Sequence, residues 1–147
     1  MEKVIETMCP EETYQLGHEM AKKAKAGDVI TLTGDLGVGK TVFTKGFADG
    51  LGIREDVNSP TFTILQIYEE GRLPLYHFDV YRIGDPEEMF EIGWDEYSTG
   101  EGVCLIEWAD LIEELIEEIP ESQLKRVEIR KNPEMGFDYR KITVKEG

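Results

Sequence analysis

Two hydrophobic periods alternate along the chain, and their alternation predicts an α/β fold. Apolar and β-branched residues run together at residues 29–33 and 103–106, which is typical of strands buried on both faces of a sheet. Further extended segments are predicted at residues 4–8, 61–68, 75–81, 125–130 and 140–145. The last four of these segments are expected to form two antiparallel hairpins, and the first to form an edge strand.

A helical spacing of apolar residues marks other segments. Leu16, Met20 and Ala24 recur every fourth residue and predict a helix over residues 10–26 that ends at Gly27. A second helix is predicted over residues 41–51, directly after a glycine-rich loop.

A third, short helix is predicted to start at the sequence Asp-Pro-Glu-Glu of residues 85–88 and to reach about Ile92. Asp85 can cap this helix, Pro86 suits its first position, and Glu88 can reach back towards the cap.

A fourth helix is predicted before Pro120 from an amphipathic run. Its apolar face comprises Leu111, Ile112, Leu115, Ile116 and Ile119. Its other face comprises Glu113, Glu114, Glu117 and Glu118, which we interpret as a solvated face. Taken together, these elements predict one domain over residues 1–147, with a mixed central sheet and helices on both of its faces.

Charge and cysteine content narrow the class of protein. The chain has 31 acidic and 16 basic residues, a formal charge of -15, which disfavours direct binding of nucleic acid over a broad face and favours a basic protein partner. Cys9 and Cys104 have neither disulfide-framework nor zinc-ligand spacing. No apolar run approaches the roughly 20 residues that span a bilayer, and the acidic N-terminal sequence does not resemble a signal peptide. We therefore expect a cytoplasmic protein with no membrane partner.

The glycine-rich loop at residues 34–41, Gly-Asp-Leu-Gly-Val-Gly-Lys-Thr, fits the phosphate-binding pattern G-x-x-x-x-G-K-[ST] between a predicted strand and a predicted helix. Glycines let several backbone N–H groups point inward, and the helix N-terminus adds partial positive charge. Lys40 is predicted to contact the β- and γ-phosphates, and the Thr41 hydroxyl is suited to bind Mg²⁺. The pattern predicts a nucleoside triphosphate site in a P-loop NTPase-like three-layer sandwich.

Two acidic residues are candidates for handling the metal and a water molecule. Asp79 and Glu107 each close an apolar strand, and ligands of open α/β sheets bind at the carboxyl ends of the strands. The alternative for each is a capping or turn carboxylate. Neither acid is followed by Glu, so the second acid that activates water in many ATPases is absent, and slow hydrolysis is expected.

Four further residues are weighed as parts of the nucleotide site or as structural residues. Thr61, within the sequence Ser-Pro-Thr-Phe-Thr of residues 59–63, is placed where nucleotide switches sense the γ-phosphate, although the segment also reads as an ordinary turn. Arg82 can contact phosphate or form a structural ion pair. His77 is interpreted as a packed strand residue, and Trp108 either as a core residue or as a neighbour of the nucleotide.

ATP is favoured as the nucleotide because the chain lacks the guanine-reading pattern N-K-x-D. Three functions stay open on the residues alone: a partner-dependent ATPase, a small phosphotransferase acting on a metabolite, and an adaptor whose shape depends on bound nucleotide.

An ordered set of motifs resembles the TsaE family, also called YjeE. The set consists of GDLGVGKT at residues 34–41, SPTFT at 59–63, HFDVYRI at 77–83, DPEE at 85–88 and LIEWAD at 105–110. The resemblance runs from about Glu12 to Asp110, with Ala109 where proline is frequent in the family. It implies a small bacterial ATPase needed to form threonylcarbamoyladenosine at position 37 of tRNA. Such an ATPase docks on the complex of TsaD and TsaB and meets tRNA only through that complex.

The resemblance also implies roles for individual residues. Lys40 would bind the phosphates, Thr41 and Glu107 would bind Mg²⁺, and Asp79 would act in hydrolysis. Thr61 would belong to a switch-like segment, and residues 9–13 would lie near the adenine. The residues expected to contact nucleotide are Asp35, Leu36, Gly37, Val38, Gly39, Lys40, Thr41, Val42 and Trp108.

Overall fold

The computed structural model describes residues 1–34, 40–55, 57 and 64–146. Within them the strands are β1 (Glu2–Thr7), β2 (Val29–Gly34), β3 (Leu65–Tyr68), β4 (Leu75–Asp79), β5 (Val103–Glu107), β6 (Leu124–Lys131) and β7 (Arg140–Glu146). The helices are α1 (Pro10–Lys23), α2 (Lys40–Gly50), α3 (Glu88–Glu91), α4 (Trp94–Ser98) and α5 (Glu113–Ile116), with 3₁₀ turns at Ala109–Ile112 and Pro133–Met135.

All these strands form one mixed sheet in the order β1-β7-β6-β2-β5-β4-β3. The four central strands, β6, β2, β5 and β4, run parallel to one another. The β3–β4 and β6–β7 pairs are antiparallel hairpins, and β1 lies antiparallel to β7 at one edge. The predicted hairpins and the predicted edge strand are confirmed.

Helices cover both faces of the sheet. Each face has its own hydrophobic core, and alternate residues of the central strands belong to one core or the other. Ile30 and Leu105 belong to the core under α1 and α2, whereas their neighbours Val29 and Ile106 belong to the core under α3, α4 and α5. Residues at alternate positions of a strand point to opposite faces, so both faces of β2 and β5 must be apolar, as their unbroken hydrophobic runs indicated. The predicted P-loop NTPase-like α/β fold is confirmed.

The contact between α1 and α2 is built from glycines. A Cβ added to Gly17 would lie 2.4 Å from the Phe43 carbonyl oxygen, and one added to Gly46 would lie 2.0 Å from the Tyr14 carbonyl oxygen. Both distances are far inside van der Waals contact, so these backbones approach as closely as they do only because no side chain stands between them. The helix α2, which follows the glycine-rich sequence, is therefore held tightly against α1.

The buried face of α1 differs from the predicted stripe. Thr13, Gly17 and Ala21 are its buried residues, while Leu16 and Met20 are partly buried at its side. The prediction that α1 reaches residue 26 is wrong, because Ala24 adopts an extended backbone with ψ 145°. The Arg72 guanidinium donates to the carbonyl oxygens of Ala21 and Ala24, which satisfies acceptors left open where the helix ends.

The predicted continuous helix before Pro120 is also wrong. The chain forms the 3₁₀ turn Ala109–Ile112 and then the single turn of α5. Ile112, Leu115 and Ile116 are buried as expected, but Leu111 is 42 % exposed because the 3₁₀ turn rotates it away from the core.

The α3–α4 region was predicted only in part. The start of α3 differs from the prediction, because the helix begins at Glu88 and its N-cap, Glu87, makes no side-chain cap hydrogen bond. The expected bonds form in the turn before the helix, where the Glu88 carboxylate accepts from the Asp85 backbone N–H at 3.5 Å and Asp85 Oδ1 accepts from the Glu87 N–H at 3.0 Å. No hydrophobic pattern indicated α4, whose Trp94 packs edge-on against Phe78 at 5.6 Å between ring centroids. In the described part of the chain, no helix is long and apolar enough to cross a membrane.

We predict that Gly46→Ala destabilises the protein. The added methyl must displace the backbone of α1, and overpacking of this kind costs about 1–3 kcal/mol, more than the roughly 1 kcal/mol that alanine gains over glycine in a helix. Urea unfolding followed by circular dichroism measures the loss. Gly84→Ala is the control, because a Cβ there meets no atom within 4 Å; equal midpoints for the two variants would refute the close contact.

Candidate functional site

Three neighbouring strands end together at one edge of the sheet. The parallel register pairs Leu32 of β2 with Glu107 of β5, and Glu107 with Asp79 of β4. Later in the chain, after residues 35–39, α2 begins at Lys40. The sequence-based placement of both acids at strand ends is confirmed. Glu107 lies on the strand next to β2, whereas Asp79 lies one strand further away.

Glu107 is an unusually buried carboxylate, with only 2 % of its surface exposed. Its backbone is fixed on both sides, because the Val80 N–H donates to the Glu107 carbonyl and the Trp108 N–H donates to the Leu32 carbonyl. Its Oε2 lies 2.6 Å from Nε2 of His77, which is fully buried. Burying a carboxylate costs several kcal/mol unless it is hydrogen-bonded, so this contact is a condition of placing an acid here.

Asp79 is partly exposed and occupies a different environment. Burial raises its pKa above the ordinary value, and the nearby Glu107 carboxylate raises it further. A hydrogen bond from the Tyr81 backbone N–H to Oδ1, 3.1 Å long, and the electrostatic influence of His77 and Lys40 lower the pKa but do not outweigh burial. The ionised form of Asp79 is therefore less favourable in the nucleotide-free protein than that of a solvated aspartate.

Lys40 is held by two groups of the protein. It is 6 % exposed, donates from Nζ to the Gly34 carbonyl oxygen at 2.9 Å, and lies 3.4 Å from the centroid of the Trp108 ring. The second distance is that of a close cation–π contact. The lysine expected to bind phosphate therefore rests against Trp108 and the end of β2.

Trp108 has a backbone conformation that few residues adopt. Its φ of 63° is in the left-handed region, and among the described residues it is the only non-glycine with positive φ. This conformation turns the chain sharply after Glu107, and it places the indole against Tyr81 at 4.8 Å between ring centroids. Strained backbone of this type costs about 1–3 kcal/mol and clusters at functional sites. The buried Ala109 then opens the 3₁₀ turn, at a position where proline is also tolerated.

The structure brings together four of the predicted site residues: Lys40, Asp79, Glu107 and Trp108. Thr41 and Val42 follow Lys40 in the first turn of α2. The other predicted site residues, Asp35, Leu36, Gly37, Val38, Gly39 and Thr61, lie outside the described residues.

Sequence reasoning placed His77 in a packed strand, which is confirmed, but missed its bond to Glu107. A signal existed: His77 pairs with Leu105 in the parallel register, and Glu107 lies two residues further along the same face. Diagonal neighbours of this kind are within reach of long side chains. The contact of Trp108 with both Lys40 and Tyr81 carried no sequence signal.

The donor set fits a metal-bound polyphosphate. Mg²⁺ prefers hard oxygen ligands, and the carboxylate of Glu107 is one such ligand at the end of a central strand. A lysine ammonium and the N-terminus of an eleven-residue helix provide the positive potential that phosphates need.

Sheet order and site together define a protein of the P-loop NTPase-like α/β class. A family model described as "Threonylcarbamoyl adenosine biosynthesis protein TsaE" matches residues 7–142, which is most of the chain. The chain belongs to the TsaE family, and the resemblance noted from its motifs is confirmed.

Individual relatives agree with the family model. The chain is 56 % identical to the tRNA threonylcarbamoyladenosine biosynthesis protein TsaE of Bacillus subtilis (strain 168), over 93 % of this chain and 81 % of that protein. It is 47 % identical to the protein of the same name from Treponema pallidum (strain Nichols), over 76 % and 79 % respectively. A crystal structure of YdiB from Bacillus subtilis superposes with a TM-score of 0.78 at 45 % identity, covering 100 % of this chain and 87 % of that one.

The raised pKa of Asp79 predicts that Asp79→Asn stabilises the nucleotide-free protein at neutral pH. A carboxyl whose folded-state pKa is raised contributes stability below its unfolded pKa, and this contribution is lost as pH rises through the folded-state pKa. Asparagine carries no charge and can still accept from the Tyr81 N–H. The stability difference between variant and wild type should therefore grow from acidic pH, near the ordinary Asp pKa of about 4, to pH 7.

Urea unfolding at a series of pH values measures this difference. Asp138→Asn provides the matched control, since Asp138 is an exposed carboxylate in the connection between β6 and β7. A difference that stays constant with pH, or one of the opposite sign at neutral pH, would contradict the desolvation of Asp79.

Proposed function

We propose that this protein is a Mg²⁺-dependent ATPase that supports the formation of threonylcarbamoyladenosine at adenosine 37 of tRNA. The observation that carries the proposal is the meeting of Glu107 and Asp79, at the ends of parallel strands, with Lys40, the lysine of the sequence G-x-x-x-x-G-K-T. Membership of a family described by threonylcarbamoyl adenosine biosynthesis supports the biological setting.

Each residue has a role that its surroundings suit. The backbone of residues 34–41 cradles the phosphates of ATP, and Lys40 moves from the Gly34 carbonyl to the β- and γ-phosphates. Thr41 and Glu107 hold Mg²⁺, which neutralises charge on the phosphates when it is bound. Asp79, beside Glu107 and destabilised as an anion, orients the attacking water by accepting its hydrogen bond.

The absence of a second acid after Asp79 or Glu107 favours slow hydrolysis by the isolated chain. We therefore propose that activity depends on partners, namely TsaD and TsaB proteins, in the cytoplasm. A formal charge of -15 disfavours direct binding of RNA over a broad face, which supports contact with tRNA only through these partners.

Phosphate release by the purified chain tests the proposal. Release should be slow for the chain alone and should rise several-fold when the TsaB–TsaD complex is added. Lys40→Ala should abolish it, because the phosphates lose their main mobile charge. Lys45→Ala, which removes an exposed lysine from the same helix, is the matched control.

Other outcomes of this assay identify other functions. Transfer of phosphate to a metabolite would show a phosphotransferase, and nucleotide binding without release in either condition would show an adaptor. Either result would overturn the proposal.

The metal role of Glu107 has its own test. Glu107→Ala should weaken binding of ATP in the presence of Mg²⁺, but not in the presence of a chelator, because a metal ligand acts only through the metal. Glu107→Gln keeps an acceptor for His77 and separates loss of the charge from loss of the side chain. Calorimetric titration measures both affinities, and an equal loss with and without Mg²⁺ would contradict the role.

A further inference from the structure

We propose that His77 is a positioning residue that orients the Glu107 carboxylate for metal binding. The inference rests on the proposed function, since it concerns how Glu107 would hold Mg²⁺. It adds a residue on a neighbouring strand to the site, one that does not itself touch nucleotide or metal.

The geometry of the pair is that of a supporting hydrogen bond. His77 lies on β4 and Glu107 on β5, on the same face of the sheet, with 2.6 Å between Nε2 and Oε2. Their side chains are 1 % and 3 % exposed, so solvent does not compete for this bond. The imidazole Nε2–H donates to the carboxylate, and it fixes the rotation of the carboxyl group about its last bond.

The apolar core around His77 does not by itself call for a histidine. Its strand neighbours on the same face of the sheet, Leu75 and Leu105, belong to the apolar core under α1 and α2. The other ring nitrogen of His77, Nδ1, is buried and has no hydrogen-bond partner among the described residues. An unsatisfied buried polar atom costs about 1–3 kcal/mol, so an apolar residue would serve the core better. What a histidine provides here and leucine does not is the bond to Glu107.

Orientation matters for the proposed metal because Mg²⁺ tolerates little departure from octahedral geometry. Because Oε2 is bonded to His77, the metal ion would meet a carboxylate of defined orientation instead of one that rotates. Groups that orient metal ligands in this way typically change metal affinity by about 10–100-fold when they are removed. We expect the loss of the His77 donor to reduce the gain in ATP affinity that Mg²⁺ provides.

The test compares ATP affinity with Mg²⁺ and with chelator in three variants at His77. His77→Leu removes the donor and should lower the Mg²⁺-dependent gain by about ten-fold, while affinity in chelator stays the same. His77→Gln places an amide N–H near the position of Nε2 and should recover most of the gain. His77→Asn carries the same amide on a shorter side chain that does not reach Glu107, and should resemble His77→Leu.

The matched control is the other histidine of the chain. His18, on α1, lies 3.4 Å from the carboxylate of Asp49 near the end of α2, and its buried Nδ1 also makes no hydrogen bond within the described part of the chain. His18→Leu should leave the Mg²⁺-dependent gain unchanged. Thermal unfolding of every variant is recorded alongside, and the comparison of Gln with Asn remains decisive if His77→Leu does not fold.

The outcomes separate this inference from the function on which it rests. If wild type shows a Mg²⁺-dependent gain and His77→Asn and His77→Gln retain it equally, the positioning role is wrong and the proposed function stands. Equal losses with and without Mg²⁺ in His77→Asn would make His77 merely structural and overturn the inference. A wild-type protein with no Mg²⁺-dependent gain would overturn both.

Discussion

The register of three parallel strands is the constraint on which the site depends. Because β5 lies between β2 and β4, the last residue of β5 is flanked on both sides by backbone, and Glu107 is desolvated by its position alone. A carboxylate in this place is tolerated only with a hydrogen-bond donor nearby, and β4 provides one in His77, two residues before Asp79. Burial of Glu107, the choice of histidine on β4 and the raised pKa of Asp79 are thus consequences of one pairing pattern.

The same pattern explains why α2 must be held firmly. Lys40 is its first described residue, so a shift of the helix along its axis would move the ammonium relative to Glu107 and Trp108. Gly17 and Gly46 let the α1 and α2 backbones touch, and an interface of backbone atoms gives way less readily than one of flexible side chains. Packing between α1 and α2, away from the strand ends, therefore helps to fix the position of Lys40.

Local patterns in the sequence were sufficient for the strands, the hairpins and the two strand-end acids, because each depends on residues close together in the chain. What escaped prediction depends on contacts between distant segments. The small-residue face of α1 is intelligible only with α2 beside it, and α1 ends early where Arg72, some fifty residues away, binds its last carbonyls. Likewise, the 3₁₀ turn that exposes Leu111 follows from the left-handed turn at Trp108, which no hydrophobic period reveals.

Trp108 connects Glu107 with Lys40. Its backbone follows Glu107 directly, and its ring lies against the Lys40 ammonium. Under the proposed function, a phosphate must replace the Trp108 and Gly34 contacts of Lys40, which are worth about 0.5–2 kcal/mol and about 1 kcal/mol in such settings. Since each 1.4 kcal/mol is about ten-fold in affinity, these contacts lower nucleotide affinity appreciably. The same contacts link the position of the Trp108 indole to whether Lys40 is bound to phosphate. They also link the strained turn directly after Glu107 to phosphate binding. A linkage of this kind suits a protein whose nucleotide state has to be read by a partner, because it converts occupancy of a buried site into a change at an aromatic side chain near the surface.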